Sequence, residues 1–372
     1  MHHSARPLVL ATLAAAVAAC SDSSLTGTPN TPATELGAAP VTATVFATGL
    51  TNPRGLAFAP DGNLYVAEAG IGGTNSTVGQ CKQQPEPFGP FTGGPSASIA
   101  RVTPQGTVST FATGLPSGKS AGGDVLGVSD VAFVGSTLYA LIEGGGCSHG
   151  NPSQPNGIIR VNTDGSWSYI ANLSAHYLTH PVARPEEEDF EPDGSPYSMT
   201  QYRGDFYVVE SNHGSVERVT TSGSIDRIMD VSRQKGHIVP TSITDWNGDF
   251  YIGTLGTFPS VPGSLSILRV TPQGRIVREL PGVSAVVGVL TDRQGRLFVL
   301  EAFTCPTSEP CGPTPASGRV LMRTASGGWT PVVAGLMFPT AMAFGPDGNL
   351  YISTFGFGFP PGSGKVERAE VK

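Results

Sequence analysis

The chain has 372 residues, of which only 14% are charged, and carries a net charge of −7 at pH 7. With 22 Lys and Arg in total, it has no basic stripe to neutralise phosphates, which excludes general nucleic-acid binding. The 49 Gly and 32 Pro exclude long helices, while the length suffices for one large all-β domain with a real core.

Taken in chain order, the first twenty residues are set apart from the fold. A mildly basic start ending at Arg6 precedes an apolar run at 8–19 and small residues before Cys20, the pattern of an export signal. "VAAC" at 17–20 resembles the lipobox of bacterial lipoproteins, which implies cleavage before Cys20 and acylation of its thiol. Ser21 beside it implies the outer membrane in a two-membrane cell, and the apolar run is too short to span a bilayer. Residues 21–41, rich in Ser, Thr and Pro with almost nothing to bury, read as a disordered tether.

From residue 42 onward one unit recurs six times. Each copy is an apolar strand, a Gly turn, an apolar-aromatic strand, a variable loop, and two more strands about a second Gly turn. The copies open with "RGLAFAPDGNLYVAE", "SDVAFVGSTLYALIE", "YSMTQYRGDFYVVES", "TSITDWNGDFYIGTL", "VGVLTDRQGRLFVLE" and "TAMAFGPDGNLYIST". Alternating Val, Ile, Tyr and Phe between D-G, N-G, Q-G and R-G turns predict strands. Four strands in about fifty-five residues is the geometry of one β-propeller blade. The sixth copy lacks its fourth strand, and "TATVFATGL" at 42–50 is a fourth strand with no blade before it. Residues 42–372 are therefore expected to form an all-β, six-bladed propeller whose last blade is closed by the amino-terminal strand, leaving no open seam.

The ordered set "GLTNPRGLAFAPDGNLYVAEAG", "TGLPS", "SDVAF", "DGSW", "PTSI" and "GLMFPTAMAFGPDGNLYISTFG" with "GSGKVERAEV" resembles exported six-bladed NHL- and SMP-like propellers, and specifically the ScyD/ScyE family. The resemblance implies an exported propeller of loosely defined activity and does not imply pigment synthesis.

Strand direction places the long loops, near 69–97, 144–156, 255–263, 302–317 and 355–363, with the 173–196 link, on one face. Cys81, Cys147, Cys305 and Cys311 all fall there. An even count in an exported chain reads as disulfides, with Cys305–Cys311 local and Cys81–Cys147 between adjacent blades. Zinc is disfavoured because no C-x₂-C spacing occurs.

The same face carries the candidate ligand and metal residues. Strand two ends at Glu68, Glu143, Glu210 and Glu301 in four blades and at Thr254 and Thr354 in the others. Arg54, Asp130, Tyr197 and Thr241 begin inner strands nearby. Crowded carboxylates could hold calcium or another divalent cation, or raise one another's pKa. The competing reading, that each Glu accepts loop N–H groups, is preferred because strand two does not line the channel. His213 is a conceivable base but reads as an exposed turn histidine, and the acidic run 183–194 reads most simply as a solvated loop, with cation binding as the alternative. "GCSHG" at 146–150 imitates a nucleophile elbow without the strand-to-helix context, and "GLPSGKS" at 114–120 imitates a phosphate loop with no helix after it.

These features point to a monomeric, non-catalytic binding or scaffold protein that meets the membrane only through its lipid anchor and engages an unknown protein or small-molecule ligand on its long-loop face. The alternative is a channel-mouth hydrolase or lyase, lactonase-like or virginiamycin-lyase-like, using a divalent cation.

Overall fold

The computed structural model describes residues 39–371. The expected signal segment, Cys20 and the tether as far as residue 38 lie outside the described residues. The architecture is six antiparallel sheets arranged as a β-propeller. The inner strands, in order, are Pro53–Phe58, Val128–Val134, Pro196–Tyr202, Pro240–Trp246, Val286–Thr291 and Pro339–Phe344. Each packs against the inner strands of both neighbouring blades, and the series closes from blade six back to blade one.

Burial explains the sequence pattern. The second strands are buried almost throughout, Leu64–Glu68 and Leu297–Glu301 at every position, and so read as nearly continuous apolar runs. The outermost strands are far less buried, Ile276–Val283 being exposed at five of its eight positions. The Phe58, Tyr351 and Phe46 rings meet edge to face with centroids 4.9 Å apart, knitting blade one to blade six.

Closure occurs at the amino end. Thr44–Leu50 pairs antiparallel with Gly364–Ala369, with Val45 opposite Glu367 and Ala47 opposite Val366. One detail differs from the expected single strand over 42–50. Val41–Thr42 runs parallel to the outer strand of blade five, opposite Val333 and Ala334, before the chain crosses to blade six. The amino-terminal segment thus straps two blades together.

The nearly identical "PDGNLY" segments make identical turns. Asp61 accepts from the Asn63 backbone N–H at 3.0 Å and its side chain at 2.8 Å; Asp347 does the same with Asn349 at 3.1 and 2.7 Å. Gly62 and Gly348 supply the positive φ of 84° and 79°. A second glycine position has a different cause. In the turns between strands three and four, a Cβ on Gly106, Gly165, Gly223 or Gly274 would overlap the carbonyl oxygen of Phe46, Phe111, Ile170 or Ile228 in the preceding blade. These turns abut backbone directly.

Blade one departs furthest from the repeat. Its third and fourth strands, Phe91–Val102 and Val108–Ser120, extend well into stretches that read as loop. Gly93, Gly94 and Ser117–Ser120 look unsuited to a strand, but the two arms pair with each other, Phe91 opposite Ser120. Two short helices, Leu173–Thr179 and Val231–Lys235, lie in the links after blades two and three, capped by the side chains of Asn172 and Asp230.

Candidate functional site at the long-loop mouth of the channel

The start of each inner strand carries a register irregularity. The pairing with strand two skips Ser129, Tyr197, Thr241, Val287 and Thr340 in blades two to six, and skips Arg54–Gly55 in blade one. Such bulges turn side chains aside from the regular alternation. Three of them bind the next blade: Ser129 Oγ donates to Pro196 O at 2.8 Å, Thr340 Oγ1 donates to Pro53 O at 2.7 Å, and Thr241 Oγ1 donates to Val286 O. Arg54 and Tyr197 behave differently and meet each other, Nη1 lying 3.5 Å from the phenol oxygen.

Arg54 is only 3% exposed. Nη2 donates to Val125 O at 2.7 Å, while Nε is buried with no hydrogen-bond partner among the described residues. The guanidinium lies 4.9 Å from the Phe357 ring centroid and 5.7 Å from that of Tyr197. Asp130 sits one residue further along its strand than the bulge position, so it does not share the Arg54 and Tyr197 register. Its carboxylate accepts from Met199 N at 2.8 Å, Ser198 Oγ at 3.0 Å and Val131 N at 2.8 Å, packed where a Cβ on Gly55 would overlap it. Burial in the channel wall nevertheless lifts Asp130 to about 6.

The four strand-two glutamates divide into two kinds. Glu68 accepts from Thr51 N at 2.6 Å and Ser98 Oγ at 2.8 Å. Glu210 accepts from the backbone N–H groups of Ser195, Asn212 and Gly214 at 2.7, 3.1 and 3.0 Å. Glu301 accepts from Ser284 N at 2.8 Å and Arg319 Nε at 2.6 Å. In these three the carboxylate ties down a loop or the link into its own blade. Glu143 is the exception. It accepts from Ser195 Oγ in the link into blade three at 2.7 Å through Oε1, and its buried Oε2 has no partner among the described residues. Burial pushes Glu143 up to about 7 against the pull of Arg54, and burial likewise raises Tyr197 to about 12. Arg54, Glu143 and Tyr197 therefore share one electrostatic neighbourhood, while Glu68, Glu210 and Glu301 stand apart. Among the described residues, no three His, Cys, Asp or Glu side chains come together as metal ligands.

The channel below this mouth holds a cavity of about 320 Å³ bounded by Gly55, Asp130, Ser198, Thr244, Thr291 and Met342 among others. Among the described residues, Asp130 is the one ionisable side chain on its wall.

Two readings of the loops need correction. His213 is not exposed: it is 3% accessible, stacks on Phe190 at 4.7 Å and bonds Glu191 O at 2.7 Å through Nε2. The acidic run is solvated only in part. Glu187 and Glu188 are exposed, but Glu191 and Asp193 are buried. Glu191 contacts His149 Nε2 at 3.2 Å and accepts from Gln84 at 3.1 Å. Asp193 accepts from the Ser148 backbone and hydroxyl, both at 2.8 Å. Thus "GCSHG" is held as a structural knot, with Ser148 and His149 bonded to different carboxylates. The only sequence signal for this network was the clustering of acids opposite a His-containing loop. Cys81 is bridged to Cys147 and Cys305 to Cys311.

The apolar surface is also unevenly placed. Ile71, Val78, Phe88, Leu178, Phe258 and Val261, six of the nine exposed large hydrophobics among the described residues, stand on long loops or the 173–196 link.

No protein-family model and no curated protein matches the chain. Solved structures of the same fold include a streptogramin B lyase (TM-score 0.50, 14% identity, 89% of this chain and 97% of that one). A gluconolactonase from Xanthomonas campestris gives 0.51 at 12% identity, covering 87% of each chain. A luciferin-regenerating enzyme gives 0.52 at 12%, covering 88% of this chain and 94% of that one. The likeness is one of fold: lyase and lactonase propellers share this architecture.

Proposed function

We propose that the protein is an exported, lipid-anchored propeller of the ScyD/ScyE kind that binds a partner or small ligand on its long-loop face. The observation that carries this reading is the concentration of exposed apolar side chains on the long-loop face, where Ile71, Val78 and Phe88 share a loop with the Cys81–Cys147 bridge and the Cys305–Cys311 bridge pins a second loop. Rigid loops lose little conformational entropy on binding, and exposed apolar surface rewards burial. The disulfides also support an oxidising compartment. Three of the four strand-two carboxylates satisfy internal donors, which supports recognition over acid–base chemistry at those positions. The second reading, a hydrolase or lyase using a divalent cation, is favoured by the raised carboxyls of Asp130 and Glu143 beside the channel.

A thermal-shift screen of the full chain against small-molecule and peptide panels tests the choice, run beside acid-release assays on lactones with and without calcium. Binding predicts a saturable stabilisation of about 2.7 kcal/mol at a hundredfold excess over Kd. That shift should weaken in Phe258→Ser, with no acid release. Calcium-dependent lactone opening that disappears in Glu143→Gln would establish the enzyme instead.

A further inference from the structure

We propose that Arg54 and Tyr197 form an anion site at the channel mouth that receives the carboxylate of a small organic acid, whose body lies between the Tyr197 and Phe357 rings. The proposal names the ligand class for the long-loop face and so rests on that face being the binding face.

Arg54 is buried yet makes no ion pair among the described residues: its two hydrogen bonds there go to Val125 O at 2.7 Å and the Tyr197 hydroxyl at 3.5 Å. Nε points to no protein acceptor. A buried guanidinium with unanswered donors is costly unless an anion or water completes it. Its planar fork matches a carboxylate through two parallel bonds. Tyr197, accepting from Arg54, keeps its own hydroxyl proton to donate, and burial holds the phenol protonated. Both flanking rings remain partly exposed, which gives an organic acid a way in and an apolar body a surface to rest on. Gly55 and Ser198, the chain neighbours of Arg54 and Tyr197, line the channel cavity of about 320 Å³, which lies next to the site.

Glu143 sets the pH response. Arg54, Glu191 and His149 are the charged groups facing it, and its ionised form competes for the field of Arg54. Protonation removes that competition, so carboxylate binding tightens as pH falls through 7.

The test is titration of the purified full chain with benzoate, acetate and citrate, using benzamide as neutral isostere and inorganic phosphate as the alternative anion, at constant ionic strength. At least one carboxylate should raise Tm saturably while benzamide does not. In a folded variant, Arg54→Lys should weaken binding about tenfold or more, and Tyr197→Phe about fivefold. Binding should strengthen between pH 8 and 6 in the wild type and lose most of that dependence above pH 7 in Glu143→Gln, the remainder near pH 6 belonging to Asp130, which also faces Tyr197. No shift with any of the three carboxylates overturns the site, as does binding retained in Arg54→Lys. A phosphate shift equal to the carboxylate's and kept in Arg54→Lys marks a simple point-charge site and overturns the assignment. Should Arg54 variants fail to fold, Tyr197→Phe and the Glu143→Gln pH profile decide, since neither removes the guanidinium. Ligand capture that depends on Phe258 while all carboxylates fail would sink this site and leave the long-loop reading standing.

Discussion

Glu143 and Glu210 occupy the same register in adjacent blades, and their substitutions should have opposite signs. Glu210 answers three backbone N–H groups. Glu210→Gln should therefore cost about 1–3 kcal/mol in denaturant unfolding at neutral pH. Glu143 is raised by burial from 4.5 to about 7. A carboxyl whose folded pKa lies above its unfolded one contributes stability that is present below about pH 4.5 and lost as pH rises to 7. Glu143→Gln should remove that fall and be more stable than the wild type at pH 8, by on the order of 3 kcal/mol. Stability against pH for both variants checks this. The sequence showed all four glutamates and their shared position. It could not show which one reached across to Ser195, because that depends on the path of the 183–195 link. His213 was misjudged for the same reason, since Phe190 covers it from that link.

The strands are legible because period and turn chemistry agree blade after blade. What escaped was structure held by pairing between arms of poor strand composition, as with Gly93 opposite Gly118. Local propensity is weak there, and the ladder hydrogen bonds decide. The turn glycines offer a sharper test. Gly165→Ala must accommodate both a φ of 83° and the Phe111 carbonyl, and should cost about 2–3 kcal/mol. Gly135→Ala, at φ 61° with open space around its Cβ, should cost only about 1 kcal/mol. The disulfides differ by loop length. Opening Cys81–Cys147, 66 residues apart, should cost about 4 kcal/mol, and opening Cys305–Cys311, 6 apart, about 2. Thermal melts of the paired Cys→Ser variants read that difference.

Across the whole molecule, the closing strand is the feature on which ring integrity depends, and the repeat arithmetic disclosed it: a surplus strand at one end and a deficit at the other. The link from Val41–Thr42 to blade five was not legible, because two residues carry no periodicity. Deleting residues 1–50 should leave Gly364–Ala369 as an uncovered edge and remove Leu50, fully buried, from the core shared by blades one and six. The truncated chain should lose its single cooperative melt and elute as aggregates in size-exclusion chromatography.

The strap also has a mechanical consequence. A pull applied from the amino end first meets two residues laid parallel to the outer strand of blade five, then seven paired antiparallel with the third strand of blade six. Because the two-residue parallel contact comes first along the chain, it takes the early load and spares the longer ladder. Under tension the molecule would shed this latch and recover it before the circle itself gave way.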